Sequence, residues 1–267
     1  MQSIKKVYQS IFPLEVRHRL YRIRKSVIET LFPGTLPPYR RLDNRRVKIR
    51  TIPPELSPVL EALKPLPSLW HEAGTLSYKT LEAIAHHLHA LDMPIRHSIE
   101  TGCGKSTVLL SHISAHHQVF ALSASDNSWQ QVLDFPVLKK ENIELIDGPT
   151  QRTLPTHRFE HKLQFALIDG PHGYPFPDLE YYYIYPQLAE NALLVVDDIH
   201  IPNIKSLFEF LCADEMFTLK EVVSTTAIFQ RTSAPTFDPT GDGWWLQGYN
   251  RKVAEHYIKN IPTLTKV

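Results

Sequence analysis

The chain has 267 residues, enough for a full α/β domain with an extension, and its 43% apolar and 21% charged residues are ordinary for a globular protein in water. No apolar run is long enough for a transmembrane helix, and Ile11-Phe12-Pro13-Leu14 is too short and proline-broken for the core of a secretory signal. Two cysteines, Cys103 and Cys212, argue against a disulfide scaffold and fit a reducing compartment, so the expected location is cytoplasmic.

The net charge of +1 hides an asymmetry: residues 1–50 hold thirteen Lys/Arg against three Asp/Glu, and the rest hold sixteen against twenty-five. The pattern predicts a helical region from about Ile4 to Leu31, interrupted at Pro13, with Leu14, Leu20, Tyr21, Val27 and Ile28 inward. Such a basic arm suits an anionic membrane surface, nucleic acid or partner, but Arg17, Arg19, Arg22, Arg24 and Lys25 are equally explained as a solvated helix face. No nucleic-acid motif accompanies it, and this plainer explanation is preferred. A linker spaced by Pro53, Pro54, Pro58, Pro65 and Pro67 follows. The expected organisation is thus a basic helical extension with its linker over 1–69, a domain over 70–232 and an aromatic tail over 233–267.

Ser77 is positioned to cap a helix through about Leu91, with Leu81, Ile84, Ala85 and Leu88 on one face. Strands are then expected at 95–100, 118–123, 142–146, 164–169 and 192–197, with helices between them. After a helix over Ile204–Leu211, the runs Leu219–Val223 and Thr226–Gln230 are too close for a crossover and should pair antiparallel. The fold class is α/β: a Rossmann-like sheet, mostly parallel with an antiparallel terminal strand, and helices on both faces. In the tail, Trp244, Trp245 and Tyr249 suit either a substrate platform or a clamp holding the tail to the body.

The chemistry concentrates where two buried-strand runs end in carboxylates, at Ile168-Asp169-Gly170-Pro171-His172-Gly173-Tyr174 and at Leu193–Asp198. Neighbouring strand ends in an open α/β sheet are where ligands bind, so Asp169, His172, Asp197 and Asp198 are expected in one cleft. Earlier in the chain, Glu100-Thr101-Gly102-Cys103-Gly104-Lys105-Ser106 admits two readings. As a phosphate-binding loop it would place Lys105 and Ser106 on phosphates and Asp197 on Mg²⁺, but Ile99 stands where that motif needs a glycine. The other reading is Glu-x-Gly-x-Gly, with Glu100, Gly102 and Gly104 opening a helix after the first strand.

Glu100, Gly102 and Gly104, followed by Asp169-Gly170-Pro171-His172-Gly173-Tyr174, Asp178, Pro186-Gln187-Leu188 and the Asp197-Asp198 pair, resemble class I S-adenosylmethionine-dependent methyltransferases. Within that superfamily they are similar to the O-methyltransferases of small molecules and sugars, and the likeness spans about residues 70–232. It implies that Glu100, Gly102, Gly104 and Ser123 line S-adenosyl-L-methionine, with Thr150 near the adenine. It also implies that Asp169, His172 and Asp198 face a small-molecule or glycan acceptor. Asp169, Asp197 and Asp198 would hold Mg²⁺ or Mn²⁺, with His172 as base or ligand and His200 a lesser candidate. Two positions depart from the pattern: Ser123 stands where the second strand usually ends in an acid, with Asp126 close enough to substitute, and Pro149 follows the third strand. Two alternatives stay open, a nucleotide hydrolase with a degenerate phosphate loop and a non-catalytic relative that only binds. Acceptor identity and oligomeric state are not encoded in these motifs.

Other conspicuous side chains are expected to be structural. Tyr181, Tyr182, Tyr183 and Tyr185 should pack on the sheet. His86, His87, His89, His116 and His117 have no carboxylate at ligand spacing and should be solvated or lightly buried. Cys103 should be a small residue chosen for fit.

Overall fold

The computed structural model describes residues 49–67, 70, 75–91, 93–123 and 128–250. The expected basic helical arm and Asp126 lie outside these residues. Seven strands form one sheet: β1 His97–Thr101, β2 His116–Ala121, β3 Ile143–Asp147, β4 Leu163–Ile168, β5 Leu188–Val196, β6 Phe217–Val223 and β7 Thr226–Arg231. Their order is β3-β2-β1-β4-β5-β7-β6. The first five are mutually parallel, and β7 runs antiparallel between β5 and β6. The tight β6–β7 turn carries Ser224 at φ 57°, the left-handed conformation that brings two adjacent strands around within two residues.

Helices α1 Ser57–Leu63, α2 Tyr78–His89, α3 Lys105–Ser111 and α4 Ser128–Leu133 pack together on one face. On the other face lie the short α5 Thr150–Thr153, α6 Phe176–Ile184 and α7 Pro202–Ala213. Ser77 caps α2 as its sequence position suggests, its hydroxyl accepting from the Thr80 N–H at 3.2 Å. The α2 stripe Leu81, Ile84, Ala85 and Leu88 then joins Leu109 and Leu110 of α3 against Val119, Phe165, Leu167, Val195 and Ile228 of the strands. Each such side chain contributes about 1.5–3 kcal/mol by leaving water, so this layer holds the strands in place.

Two buried polar networks interrupt that layer, and both correct the expectation of solvated histidines. His87 Nε2 lies 2.9 Å from Glu221 Oε2, whose other oxygen accepts from Arg50 at 2.7 Å. His117 is fully buried on β2, its Nδ1 2.7 Å from Ser98 Oγ and its Nε2 3.1 Å from Glu100 Oε1. In each case the carboxylate comes from a different element, which local spacing cannot reveal. Tyr181 is buried with its ring 6.1 Å from that of Phe217 on β6, as expected, but two other tyrosines also reach the tail. Tyr182 and Tyr185 donate to the carbonyls of Pro239 and Phe237 at 3.1 and 3.0 Å, so they also hold the tail. Tyr249 packs on Phe210 of α7 with ring centroids 5.4 Å apart, the contact of a clamp.

The order of the strands positions the site. Connections from β1 run toward β2 and those from β4 run toward β5, so the chain departs in opposite directions from these neighbours. A crevice opens at their carboxyl ends, where ligands bind in such sheets.

Candidate active site

At the carboxyl end of β4, the Asp169 N–H donates to Thr101 Oγ1 at 3.0 Å, tying the turn after β4 to the end of β1. The Asp197 N–H donates to the Ile168 carbonyl at 3.1 Å and keeps β5 in register with β4. His172 lies one turn beyond Asp169, with its carbonyl accepting from Asn203 Nδ2 of α7 at 3.3 Å. Asp198 has φ 53°, a left-handed conformation that costs free energy outside glycine and concentrates at functional sites.

These residues converge. His172 Nε2 is 3.2 Å from Asp198 Oδ2 and 3.9 Å from Asp169 Oδ1, and one donor atom from each of the three lies within 4.8 Å of the others. His200 Nδ1 adds a contact to Asp198 Oδ1 at 3.4 Å. The side chains keep 25% exposure at Asp169, 27% at Asp198 and 40% at His172, so a ligand can reach them. Burial, with the charge of Asp197 next, pushes the Asp169 carboxyl up. The Asp169 carboxylate, followed by the Asp198 charge, pushes His172 up against its own burial. The cluster therefore has excess negative charge, which a cation would relieve.

Asp197 is turned elsewhere. It is buried, and its Oδ1 accepts from Thr226 Oγ1 on β7 at 2.6 Å. Among the described residues the convergent group is Asp169, His172 and Asp198, without the Asp197 that the resemblance places there. The reason is local: Asp197, the residue just past β5, meets the neighbouring β7, and Asp198, in left-handed conformation, turns away from the sheet.

The glycine loop sits beside this cluster. Gly102 has φ 94°, and a Cβ there would come within 2.6 Å of the Asp169 carbonyl oxygen, so this glycine lets β1 and β4 approach. Gly104 is extended and caps α3, its N–H donating to Thr107 Oγ1 at 3.0 Å. Glu100 is fully buried; its Oε1 accepts from Thr107 Oγ1, and its Oε2 has no hydrogen-bond partner. Lys105 does not face the loop as a phosphate ligand. Its ammonium donates to the Leu66 carbonyl at 2.8 Å, and burial pushes its pKa down to about 8. That contact removes the main support for the nucleotide-hydrolase alternative, and Lys105 serves to anchor the linker.

Ser123 lies at the end of β2 and donates from its N–H and hydroxyl to Asp147, at 2.9 and 2.8 Å. These bonds hold the Asp147 carboxyl below its ordinary range. Thr150 is buried at the start of α5, after the β3 strand that Asp147 ends. Sequence reasoning missed Asp147 as the carboxylate beside Ser123, and it missed Glu180. Glu180 is fully buried on α6, its Oε2 accepting from Thr101 Oγ1 at 2.8 Å, and burial pushes its pKa up to about 7. A signal existed: Pro177, Glu180, Tyr181 and Ile184 form the buried stripe of α6, and a carboxylate in such a stripe is out of place.

The comparisons with known proteins agree with this geometry. A family model described as a methyltransferase domain matches residues 99–199. No curated protein sequence matches the chain. Among solved structures, a Klebsiella pneumoniae protein assigned as an O-methyltransferase aligns with TM-score 0.52 and 14% identity, over 79% of this chain and 97% of that one. A Staphylococcus aureus protein assigned as a caffeoyl-CoA O-methyltransferase aligns with TM-score 0.54 and 13% identity, over 64% of this chain and 91% of that one. At these identities the structures show a shared fold, and the family match falls on β1 through the β5 end, where the glycine loop and the aspartates lie. Residues 99–199 thus match a methyltransferase domain and lie within a fold shared with these two proteins.

Proposed function

We propose that this chain is an S-adenosylmethionine-dependent methyltransferase that acts on a hydroxyl oxygen of a small molecule or glycan, at a site built by Asp169, His172 and Asp198. The convergence of these three partly exposed side chains at the β4 and β5 ends carries the reading. In the reaction the hydroxyl oxygen attacks the sulfonium methyl carbon as the carbon–sulfur bond breaks. The electron pair stays on sulfur, giving neutral S-adenosylhomocysteine and a methyl ether. The hydroxyl proton passes to the His172 imidazole, and the Asp198 carboxylate, 3.2 Å from Nε2, stabilises the imidazolium. Holding the acceptor in line with the sulfonium supplies much of the rate.

On the cofactor side, the reading places Glu100, Gly102 and Gly104 around the methionyl part, Ser123 with Asp147 toward the ribose and Thr150 toward the adenine. The unpartnered, buried Glu100 Oε2 suits a cationic amino group, which supports the cofactor role. Asp169 and Asp198 offer hard oxygen donors in a cluster with excess negative charge, so the residues present fit Mg²⁺ or Mn²⁺. A bound divalent ion would lower the pKa of an acceptor hydroxyl. Asp197, held by Thr226, is not part of this proposed set. Two cysteines in 267 residues favour a reducing, cytoplasmic setting.

The test is to incubate the protein with S-adenosylmethionine and a panel of phenolic and glycosidic hydroxyl compounds, with and without Mn²⁺, and follow S-adenosylhomocysteine release. Turnover that His172→Ala abolishes, with cofactor binding retained, is the expected result. Turnover indifferent to that substitution would overturn the role of His172, and transfer only to nitrogen acceptors would overturn the oxygen specificity.

A further inference from the structure

We infer that Glu180 is a positioning residue for the acceptor site, fixing through Thr101 the Asp169–Gly170 backbone from which the Asp169 carboxylate meets His172 and Asp198. The inference rests on the reading of those three residues as the acceptor site. A relay of two hydrogen bonds carries it: the Asp169 N–H donates to Thr101 Oγ1 at 3.0 Å, and the Thr101 hydroxyl donates onward to Glu180 Oε2 at 2.8 Å. Thr101 and Glu180 are both fully buried, so no water competes for these bonds. Glu180 Oε1 is buried and makes no well-formed hydrogen bond, although the Thr150 hydroxyl lies against the carboxyl, and it faces Gly170 so closely that a Cβ there would stand 2.2 Å from it. Together with the Gly102 approach to Asp169, this leaves the turn after β4 wedged between the end of β1 and α6.

Stability alone does not account for a carboxyl here. The position belongs to the buried stripe of Pro177, Tyr181 and Ile184, and an apolar side chain would avoid the cost of burying Glu180 with one oxygen making no well-formed hydrogen bond. What the carboxyl supplies is direction: it orients the Thr101 hydroxyl so that its lone pair meets the Asp169 N–H. Groups that orient metal-binding side chains in this way typically alter affinity about 10–100-fold when removed.

The experiment measures Mn²⁺ affinity, S-adenosylhomocysteine affinity and hydrogen exchange of the amides at 169–172 in the wild type, Glu180→Leu, Glu180→Gln and Thr101→Val. Glutamine keeps an oxygen for the Thr101 hydroxyl; leucine does not, and valine removes the relay itself. The expected result is Mn²⁺ binding weakened about 10–100-fold in the leucine and valine variants, with faster exchange at Asp169. Glu180→Gln should stay within about threefold of wild type, as should the cofactor affinity of every variant, a span of under 1 kcal/mol. Unchanged Mn²⁺ binding and exchange in Glu180→Leu would overturn the inference, as would parallel losses of metal and cofactor binding, which mark a purely structural role. If the wild type binds no Mn²⁺, the metal in the proposed function fails and the exchange data still decide: faster exchange in Glu180→Leu and Thr101→Val upholds positioning, and unchanged exchange refutes it.

Discussion

Histidine–carboxylate pairs occur in two settings in this molecule. Under α2 and α3, His87 meets Glu221 and His117 meets Glu100, each enclosed and each supplied with a further partner, Arg50 for Glu221 and Ser98 for His117. At the ends of β4 and β5, His172 meets both Asp198 and Asp169, and the side chains stay partly exposed. The His87–Glu221–Arg50 group is what a stable core does with a polar group it has buried, whereas the His117–Glu100 pair leaves Glu100 Oε2 open on its other side. The second setting retains unmet charge beside solvent, which is what a ligand requires. Exposure separates these histidines, and the presence of a carboxylate partner does not.

The largest effect expected from this contrast is on stability. Glu221→Gln should cost about 3–5 kcal/mol in urea denaturation, because it breaks a buried charge network. His172→Ala should stay within about 0.5 kcal/mol, as surface substitutions usually do. Equal losses would erase the distinction between the two settings.

A second prediction concerns pH. Glu180 holds its proton more tightly in the folded chain, with its pKa raised from 4.5 to about 7 by burial. Between those values the folded state binds more protons than the unfolded state, so stability is full at the acid end and falls as pH rises through 7. At 1.36 kcal/mol per unit the loss is on the order of 3 kcal/mol. Glu180→Gln should flatten the fall in unfolding free energy between pH 5 and pH 8; an equally steep fall in that variant would assign it to another group.

The smallest effect tests the tail. Tyr182→Phe removes the hydroxyl that donates to the Pro239 carbonyl and should lower stability by about 0.5–1 kcal/mol at most, since Tyr182 is 43% exposed. Protease cleavage within 237–247 should quicken measurably; resistance equal to wild type would mean that the clamp resides in Tyr185 and Tyr249 alone.

The strands were legible because each is an apolar run bounded by turn residues, and all seven lie within a few residues of the expected segments. Asp169, His172 and Asp198 were legible for a related reason, that strand ends in this topology are ligand sites. The distinction between Asp197 and Asp198 was not, because it depends on a positive φ and on Thr226 arriving from β7, 29 residues later. His87 was misjudged for the same cause, its partner Glu221 lying 134 residues away. Glu180 left a trace as a carboxylate in a buried stripe, but its partner Thr101 becomes visible only when α6 packs on β4 and brings the two side chains together.

The most direct test of the central claim is a Mn²⁺ titration followed by electron paramagnetic resonance, with S-adenosylhomocysteine present, comparing wild type with Asp198→Asn and Asp197→Asn. The account predicts one Mn²⁺ site in the wild type, lost in Asp198→Asn and retained in Asp197→Asn. A site lost in Asp197→Asn with Asp198→Asn unaffected, or no site in the wild type, would contradict it.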